Sequence, residues 1–288
     1  MRVQTSTSSS STTRLVANRL VGGLPRRELG RILRSSESAD LVPGEVLCEP
    51  RRNLQYVHFP EAGFISLASA VGGHAPLELG LVGSEGMLGA TLMLGVDIAP
   101  LRAVVQGTGT ALRMSASEFL RALQDCHVLR QVLSRYLYVV MAQFAQTTVC
   151  TRFHVVEKRL ARWLLMAHDR AHSNHFHLTH ELLANMLGVR RSGITVAAGA
   201  LQKRNLIGYR RGQITVLDRK GLEAASCECY RADVATHSLW LANPEIEPTS
   251  PESVAARHPT PFVVGGRSDA RARALGGDIA SRRLPTRH

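Results

Sequence analysis

The chain has 288 residues, 44% of them hydrophobic and 20% charged, so a sizeable core is available and global disorder is excluded. Its 35 Lys and Arg against 23 Asp and Glu leave a net charge of +12 and an isoelectric point near 10.3, a balance that calls for a polyanionic partner, nucleic acid before membrane. No apolar run reaches the roughly 18–20 residues that span a bilayer, and the Ser/Thr-rich start (5–13) lacks the apolar centre of a secretory signal.

The length favours two domains, and the charge is divided unevenly between them. Residues 1–151 carry 14 basic and 11 acidic side chains, 152–231 carry 14 and 6, and 232–288 carry 7 and 6. The excess therefore sits in one short segment. Five cysteines (Cys48, Cys126, Cys150, Cys227 and Cys229) are odd in number and scattered, which argues against a disulfide framework and for a reducing cytoplasm.

Residues 1–13 are polar low complexity and are expected to be disordered, as is the tail assigned to 232–288, whose Pro, Ser, Gly and Arg show no period from about 243. From about 40 to 115 the chain is β-like. Glu45-Val46-Leu47, Tyr56-Val57-His58-Phe59, Phe64-Ile65-Ser66-Leu67, Leu77-Glu78-Leu79 and Ala103-Val104-Val105 are separated by Pro43-Gly44, Gly72-Gly73 and Gly107-Thr108-Gly109. Short strands with regular turn signals predict a sandwich or barrel.

A short helix over 118–123, capped by Ser115 or Ser117, is followed by a longer one over 128–150 with no Gly or Pro inside. Leu129, Leu133, Tyr136, Val140, Gln143 and Thr147 recur at spacings of four and three, the pattern of a seam facing a partner helix. The alternative is that the helix packs on its own sheet. Over 156–168 a further helix is expected, with Leu160, Trp163, Leu164 and Ala167 on one face and Lys158, Arg159 and Arg162 on another.

The chemistry concentrates after this helix. Thr179 is placed to cap a helix beginning at His180. Ala184 is small where two helices would approach, Gly188 supplies a turn at positive φ, and Ile194 plugs the space between the helices. Leu183, Leu187, Val189 and Leu201 complete an apolar side. These spacings are those of a helix-turn-helix. Its second helix, from about Arg190 toward Asn205, presents Arg190, Arg191, Ser192 and Thr195 where base edges are read in the major groove. Gly193 suggests a close backbone approach, and Ala197, Ala198, Gly199 and Ala200 suggest tight packing behind. Two alternating runs around Arg211-Gly212 then form a hairpin wing; Arg210 and Arg211 at its tip, with Lys203 and Arg204 before it, are candidates for phosphates.

Residues from about 40 to 231, and most specifically the stretch from Leu183 to Ser192 continuing through Ile214-Thr215-Val216-Leu217-Asp218, resemble the Crp–Fnr superfamily of bacterial transcription regulators. The resemblance implies an α+β fold with a jelly-roll-like N-terminal β-roll of cyclic-nucleotide-binding type (14–127), a dimerisation helix (128–151) and a winged helix-turn-helix (152–231). It also implies a homodimer on a palindromic operator in double-stranded DNA, with RNA polymerase as a further expected partner. The family's reading Arg corresponds to Arg191, whereas Ser192 replaces a Glu and Val196 a second Arg, so the operator of the best-known members is not implied. In the sensor half, Gly86-Met87-Leu88-Gly89 stands where cyclic-AMP-binding members have Gly-Glu-Leu, and Ala99-Pro100 where they have Arg-Ser; Arg102 is about three residues out of register. Met cannot accept from a ribose hydroxyl, so gating by cyclic AMP is not expected and the effector stays unknown. Cys48 alone in the N-terminal region does not resemble an iron–sulfur cluster site.

Other constellations carry less. His168, His172, His175, His177 and His180 form a dense run read as an exposed linker rather than a metal site. Cys227-x-Cys229 has no second pair at zinc spacing and reads as structural or incidental. No metal, cofactor, catalytic residue or membrane contact is expected. Ser84-Glu85-Gly86 is simply a turn. Two other functions remain open at this point: a cupin-like β-barrel enzyme with a tethering domain, disfavoured because 40–115 holds only His58 and His74, and an RNA- or partner-binding adaptor, disfavoured because the basic segment lacks aromatic stacking residues.

Overall fold

The computed structural model describes residues 16–241 apart from 74 and 172, so the disorder expected for 1–13 and for the distal tail falls outside the described residues. Two short helices, α1 (Arg19–Gly22) and α2 (Arg26–Arg34), come first. Asn18 fixes this entry. Its side chain is fully buried, donates to the carbonyls of Pro60 and Gly86, and accepts from the backbone N–H groups of Leu20 and Val21, capping α1.

Seven strands follow: β1 (Glu37–Leu41), β2 (Val46–Cys48), β3 (Tyr56–Pro60), β4 (Phe64–Ser69), β5 (Leu77–Val82), β6 (Arg102–Gly107) and β7 (Gly109–Ser115). They form two antiparallel sheets, ordered β1-β7-β3 and β2-β6-β4-β5. Leu41 and Ala111 of the first pack on Val105 of the second, with Leu47 beside them. The β-roll expected from the short runs is therefore present. Strand β1 carries no such signal, because only Leu41 of its five residues is buried. It is held by full register with β7 alone.

Ser115 caps α3 (Ala116–Asp125), its hydroxyl accepting from the Glu118 N–H. The long helix α4 runs His127–Phe153 and lies back on the β-roll. Leu129 and Leu133 are fully buried and Tyr136 nearly so, all inside the same protomer's core with Val57, Phe59, Met87 and Phe119; Val140 packs at its edge. The Tyr136 hydroxyl donates to the Met87 carbonyl. This corrects the seam reading: those side chains are already used intramolecularly and are not free to meet a second helix. Its polar members have the same explanation. Gln143 accepts from the Leu81 N–H at the edge of β5, and Thr147 accepts from Arg162.

Next come α5 (Val156–Ala171), β8 (His175–His177), α6 (His180–Leu187), α7 (Arg191–Lys203), β9 (Ile207–Arg210), β10 (Gln213–Val216), α8 (Arg219–Ala225) and α9 (Glu228–Leu241). The tail assigned from 232 begins too early, since α9 stays helical through that point and packs along α4, with Trp240 against Tyr138 at 5.2 Å between ring centroids. On α5 the expected polar face is also corrected. Arg159 and Arg162 are buried, Arg162 in an ion pair with Asp233 of α9 at 2.7 Å, both side chains 7% exposed.

The β-roll and the C-terminal helices share one core. Phe64 and Leu81 belong to the same apolar cluster as Leu160, Trp163, Leu183, Ile194 and Leu201. Two buried polar links cross the junction: Glu78 of β5 accepts from the Trp163 indole N–H at 2.6 Å, and Glu85 pairs with Arg170 at 2.7 Å. Ser84-Glu85-Gly86 is thus more than a turn.

Candidate nucleic-acid interface

The reading head is built from short-range geometry. Thr179 accepts from the Leu182 N–H and starts α6; Gly188 ends it at φ 61°. A Cβ at Gly188 would also lie 2.8 Å from Leu77 Cδ1, so the turn rests directly on β5. Ala184 is 3% exposed and Ile194 fully buried, which fixes the approach of α6 and α7.

Arg190 is the N-cap of α7, and because a guanidinium has no acceptor it leaves the first N–H groups of the helix uncapped. Arg190, Arg191, Ser192 and Thr195 are all exposed on the first turns of this helix. Here the uncapped N–H groups and the positive end of the helix dipole add to the two guanidiniums. The buried side of α7 carries Ile194, Ala197, Ala198 and Leu201, while Val196, 74% exposed, shares the outer face. A Cβ at Gly193 would meet only Val156 Cγ2, at 4.0 Å, an ordinary contact, so the close backbone approach expected there is absent.

Thr195 is not a free hydroxyl. It donates to the Arg191 carbonyl at 3.1 Å, and His180 Nδ1 lies 3.1 Å away, in position to donate back. His180 in turn stacks on Tyr209 of β9, centroids 4.3 Å apart, which ties α6, α7 and the wing together. Desolvation, followed by the nearby Arg191 charge, lowers the His180 pKa and favours its neutral form. The His180–Tyr209 pair was not visible in the sequence, since 29 positions separate its members and no periodicity connects them.

The wing has three strands, ordered β8-β10-β9. The His-rich segment expected as a linker supplies the third: Phe176 is buried, His175 and His177 point outward, and His175 Nδ1 meets Thr215 Oγ1 at 3.0 Å. His168, farther back on α5, contacts Asn174 and Arg219, so the described members of the run do not converge; His172 lies outside the described residues. The two-residue turn Arg211-Gly212 has φ of 50° and 79°, both positive, as a tight hairpin of this twist requires. Arg210, Arg211 and Lys203 are exposed. Arg204 is exposed too, but is paired with Glu157 of α5 at 3.1 Å.

Residues 158–225 match the model of the Crp-like helix-turn-helix domain. Solved structures with the same fold include a transcriptional regulator of the Crp/Fnr family from Eubacterium rectale (TM-score 0.57, 17% identity, 72% of this chain and 96% of that one). Others are the c-di-GMP-responsive global regulator CLP of Xanthomonas campestris (0.56, 15%, 67% and 99%) and FixK2 of Bradyrhizobium japonicum (0.55, 13%, 67% and 98%). No curated protein sequence matches significantly. Residues 158–225 thus carry a Crp-like helix-turn-helix domain, in a chain with the fold of the Crp/Fnr regulators.

Met87, Leu88, Gly89, Ala99 and Pro100 line a cavity of about 90 Å³ closed by Tyr136, Val140 and Phe144 of α4. Arg102 pairs with Glu49 at 3.2 Å. Among the described helices none is long and apolar enough to cross a membrane.

Proposed function

We propose that the chain is a DNA-binding transcription regulator of the Crp–Fnr superfamily that acts in the cytoplasm as a homodimer, reads a palindromic operator with the first turn of α7, and does so without cyclic AMP. The observation that carries the reading is the exposed group Arg190, Arg191 and Ser192 at the uncapped start of a helix whose other side is locked into the head. Lys203, Arg210 and Arg211 flank it and serve the phosphates; Arg204 joins them only after leaving Glu157. Thr179 contributes its exposed side chain at the start of α6 while holding its cap. RNA polymerase is the partner through which such a bound regulator acts.

The second copy is proposed to meet α4 on the face opposite its buried one. Beside Tyr138, which already meets Trp240 of α9, Met141 and Val149 are 69% and 47% exposed and lie at helical spacing through Ala145. Apolar side chains left exposed together on the C-terminal half of a helix offer a surface for a partner. Against cyclic AMP stands the small apolar cavity, well below the roughly 300 Å³ where small-molecule pockets begin, and the lack of a guanidinium to meet a phosphate.

Genome-wide mapping of bound DNA tests the reading. A two-fold motif with half-sites about one helical turn apart is expected. Sites without symmetry would count against the dimer, and absence of specific sites against the function.

A further inference from the structure

Four side chains from two distant stretches converge where α4 ends and α9 begins. Cys150 and His154 stand four apart at the end of α4; Cys227 and Cys229 flank the first residue of α9. One donor atom from each, three Sγ and an imidazole nitrogen, all lie within 4.8 Å of one another, and the three cysteines are at most 2% exposed. Cys150 Sγ to Cys227 Sγ is 3.6 Å, and Cys229 Sγ to His154 Nδ1 is 3.4 Å. For a tetrahedral zinc with its usual bond lengths those edges come to about 3.8 and 3.6 Å. These two edges are within a few tenths of an ångström of that arrangement, and all four donors lie close enough to contract onto one ion.

Two further observations point the same way. His154 offers Nδ1 to the cluster while its Nε2 lies 3.1 Å from the Glu228 carboxylate, the outer hydrogen bond that orients a metal-bound imidazole and raises its basicity. The thiols also form an isolated cluster, with no aliphatic side chain packed among them to explain their burial. Charge is provided for. Three thiolates and one neutral imidazole around a divalent ion leave one negative charge, and the buried Arg159 and Arg162 stand close by; Arg162 is balanced by Asp233, so Arg159 supplies the net compensation. The start of α9 adds the positive end of a helix dipole, which favours thiolate over thiol.

We propose that Cys150, His154, Cys227 and Cys229 form a structural zinc site that staples α9 to the junction between α4 and α5. All four protein ligands are present, so the site is closed, as structural rather than catalytic zinc sites are. Arg159, beside the cluster, donates to the Leu187 carbonyl at the end of α6, one residue before the turn of the reading head. The metal therefore sits one side chain away from the helix-turn-helix and fixes the hinge on which it is carried.

The full-length chain, purified anaerobically under reducing conditions, is the sample. Elemental analysis is expected to give about one zinc per chain, and Cys150→Ser and Cys229→Ser to cut that by roughly tenfold, with Cys48→Ser and Cys126→Ser unchanged. Cobalt loaded in place of zinc is expected to show sulfur-to-metal charge transfer and tetrahedral d–d absorption. Should a cysteine variant not fold, His154→Ala, at a partly buried position, and Glu228→Gln, at an exposed one, take its place; the latter is expected to weaken metal retention in a chelator competition by about 10–100-fold with the fold intact. A reduced, folded chain that holds no zinc and takes up no cobalt overturns the proposal. So does zinc retained by Cys150→Ser and Cys229→Ser, or iron with cluster absorption in its place.

Discussion

Arg191 is exposed on the first turn of α7, while the neighbouring Thr195 hydroxyl is engaged by His180 and by the Arg191 carbonyl. Under the proposed function, base discrimination rests on the arginine more than on the threonine. Arg191→Ala is expected to cost roughly 1–3 kcal/mol at one base step and to relax preference there, whereas Thr195→Ala should act on the packing of α6 against α7. Binding measured across single-base operator variants separates the two; an Arg191→Ala profile parallel to wild type would remove its assigned role. At the opposite end of the head, Glu78 is fully buried between Ser66 and Trp163, and desolvation lifts its pKa to about 7 despite both hydrogen bonds. A carboxyl raised in the folded state gives its full share of stability below its unfolded pKa and loses it as pH rises through the folded one. That loss reaches about 3 kcal/mol above neutrality. His58 and His237, both lowered to about 4 chiefly by burial, act oppositely, since their stabilisation is lost as pH falls from 6.5 toward 4. Denaturant melts of Glu78→Gln and wild type should therefore diverge, the variant gaining on wild type between about pH 5 and 8. Parallel pH profiles would show that Glu78 keeps its charge state.

Among the elements, the helix-turn-helix was the most legible, because Ala184, Gly188 and Ile194 act over a few residues and each has one steric task. The β-roll was legible in outline from its glycine punctuation, and β1 was not, since a polar edge strand leaves no alternation. Helix α4 shows a different limit. It carries apolar side chains on more than one face, so spacing alone cannot tell which face meets its own core, and the residues that best fit a heptad pack inward. Leu133→Asp should therefore destabilise the β-roll by about 3–5 kcal/mol or prevent folding, not give soluble monomers. Met141→Arg with Val149→Arg should give folded monomers, seen as an unchanged circular dichroism spectrum with halved mass in sedimentation. A dimer that survives the double change would place the interface elsewhere. The cysteine cluster was illegible for a related reason: Cys150 and Cys227 are 77 positions apart, and only the return of α9 along α4 brings them together.

For the whole molecule, net charge overstates what faces DNA. Of the basic side chains in 152–231, Arg159, Arg162 and Arg170 are buried, and Arg204 and Arg219 are paired with carboxylates. Of the nine others, Arg190, Arg191, Lys203, Arg210 and Arg211 are exposed on the reading head and wing, and Arg152, Lys158, Lys220 and Arg231 are exposed elsewhere. Each phosphate contact contributes about −0.9 to the slope of log affinity against log salt, so Lys203→Ala should flatten it by about one per protomer with specificity kept. An unchanged slope would take Lys203 off the phosphate backbone.

Trp163 sits where β-roll and reading head meet, 4% exposed, its indole N–H held by Glu78 and its ring edge-on to Phe64 at 6.4 Å. The chain has only one other tryptophan, Trp240. In a Trp240→Phe background, emission from Trp163 therefore becomes an optical gauge of the junction itself. Any signal that swings the head away from β5 must break that hydrogen bond and wet the indole, shifting its fluorescence to the red. A ligand that regulates by a route leaving the junction closed would leave the spectrum where it was.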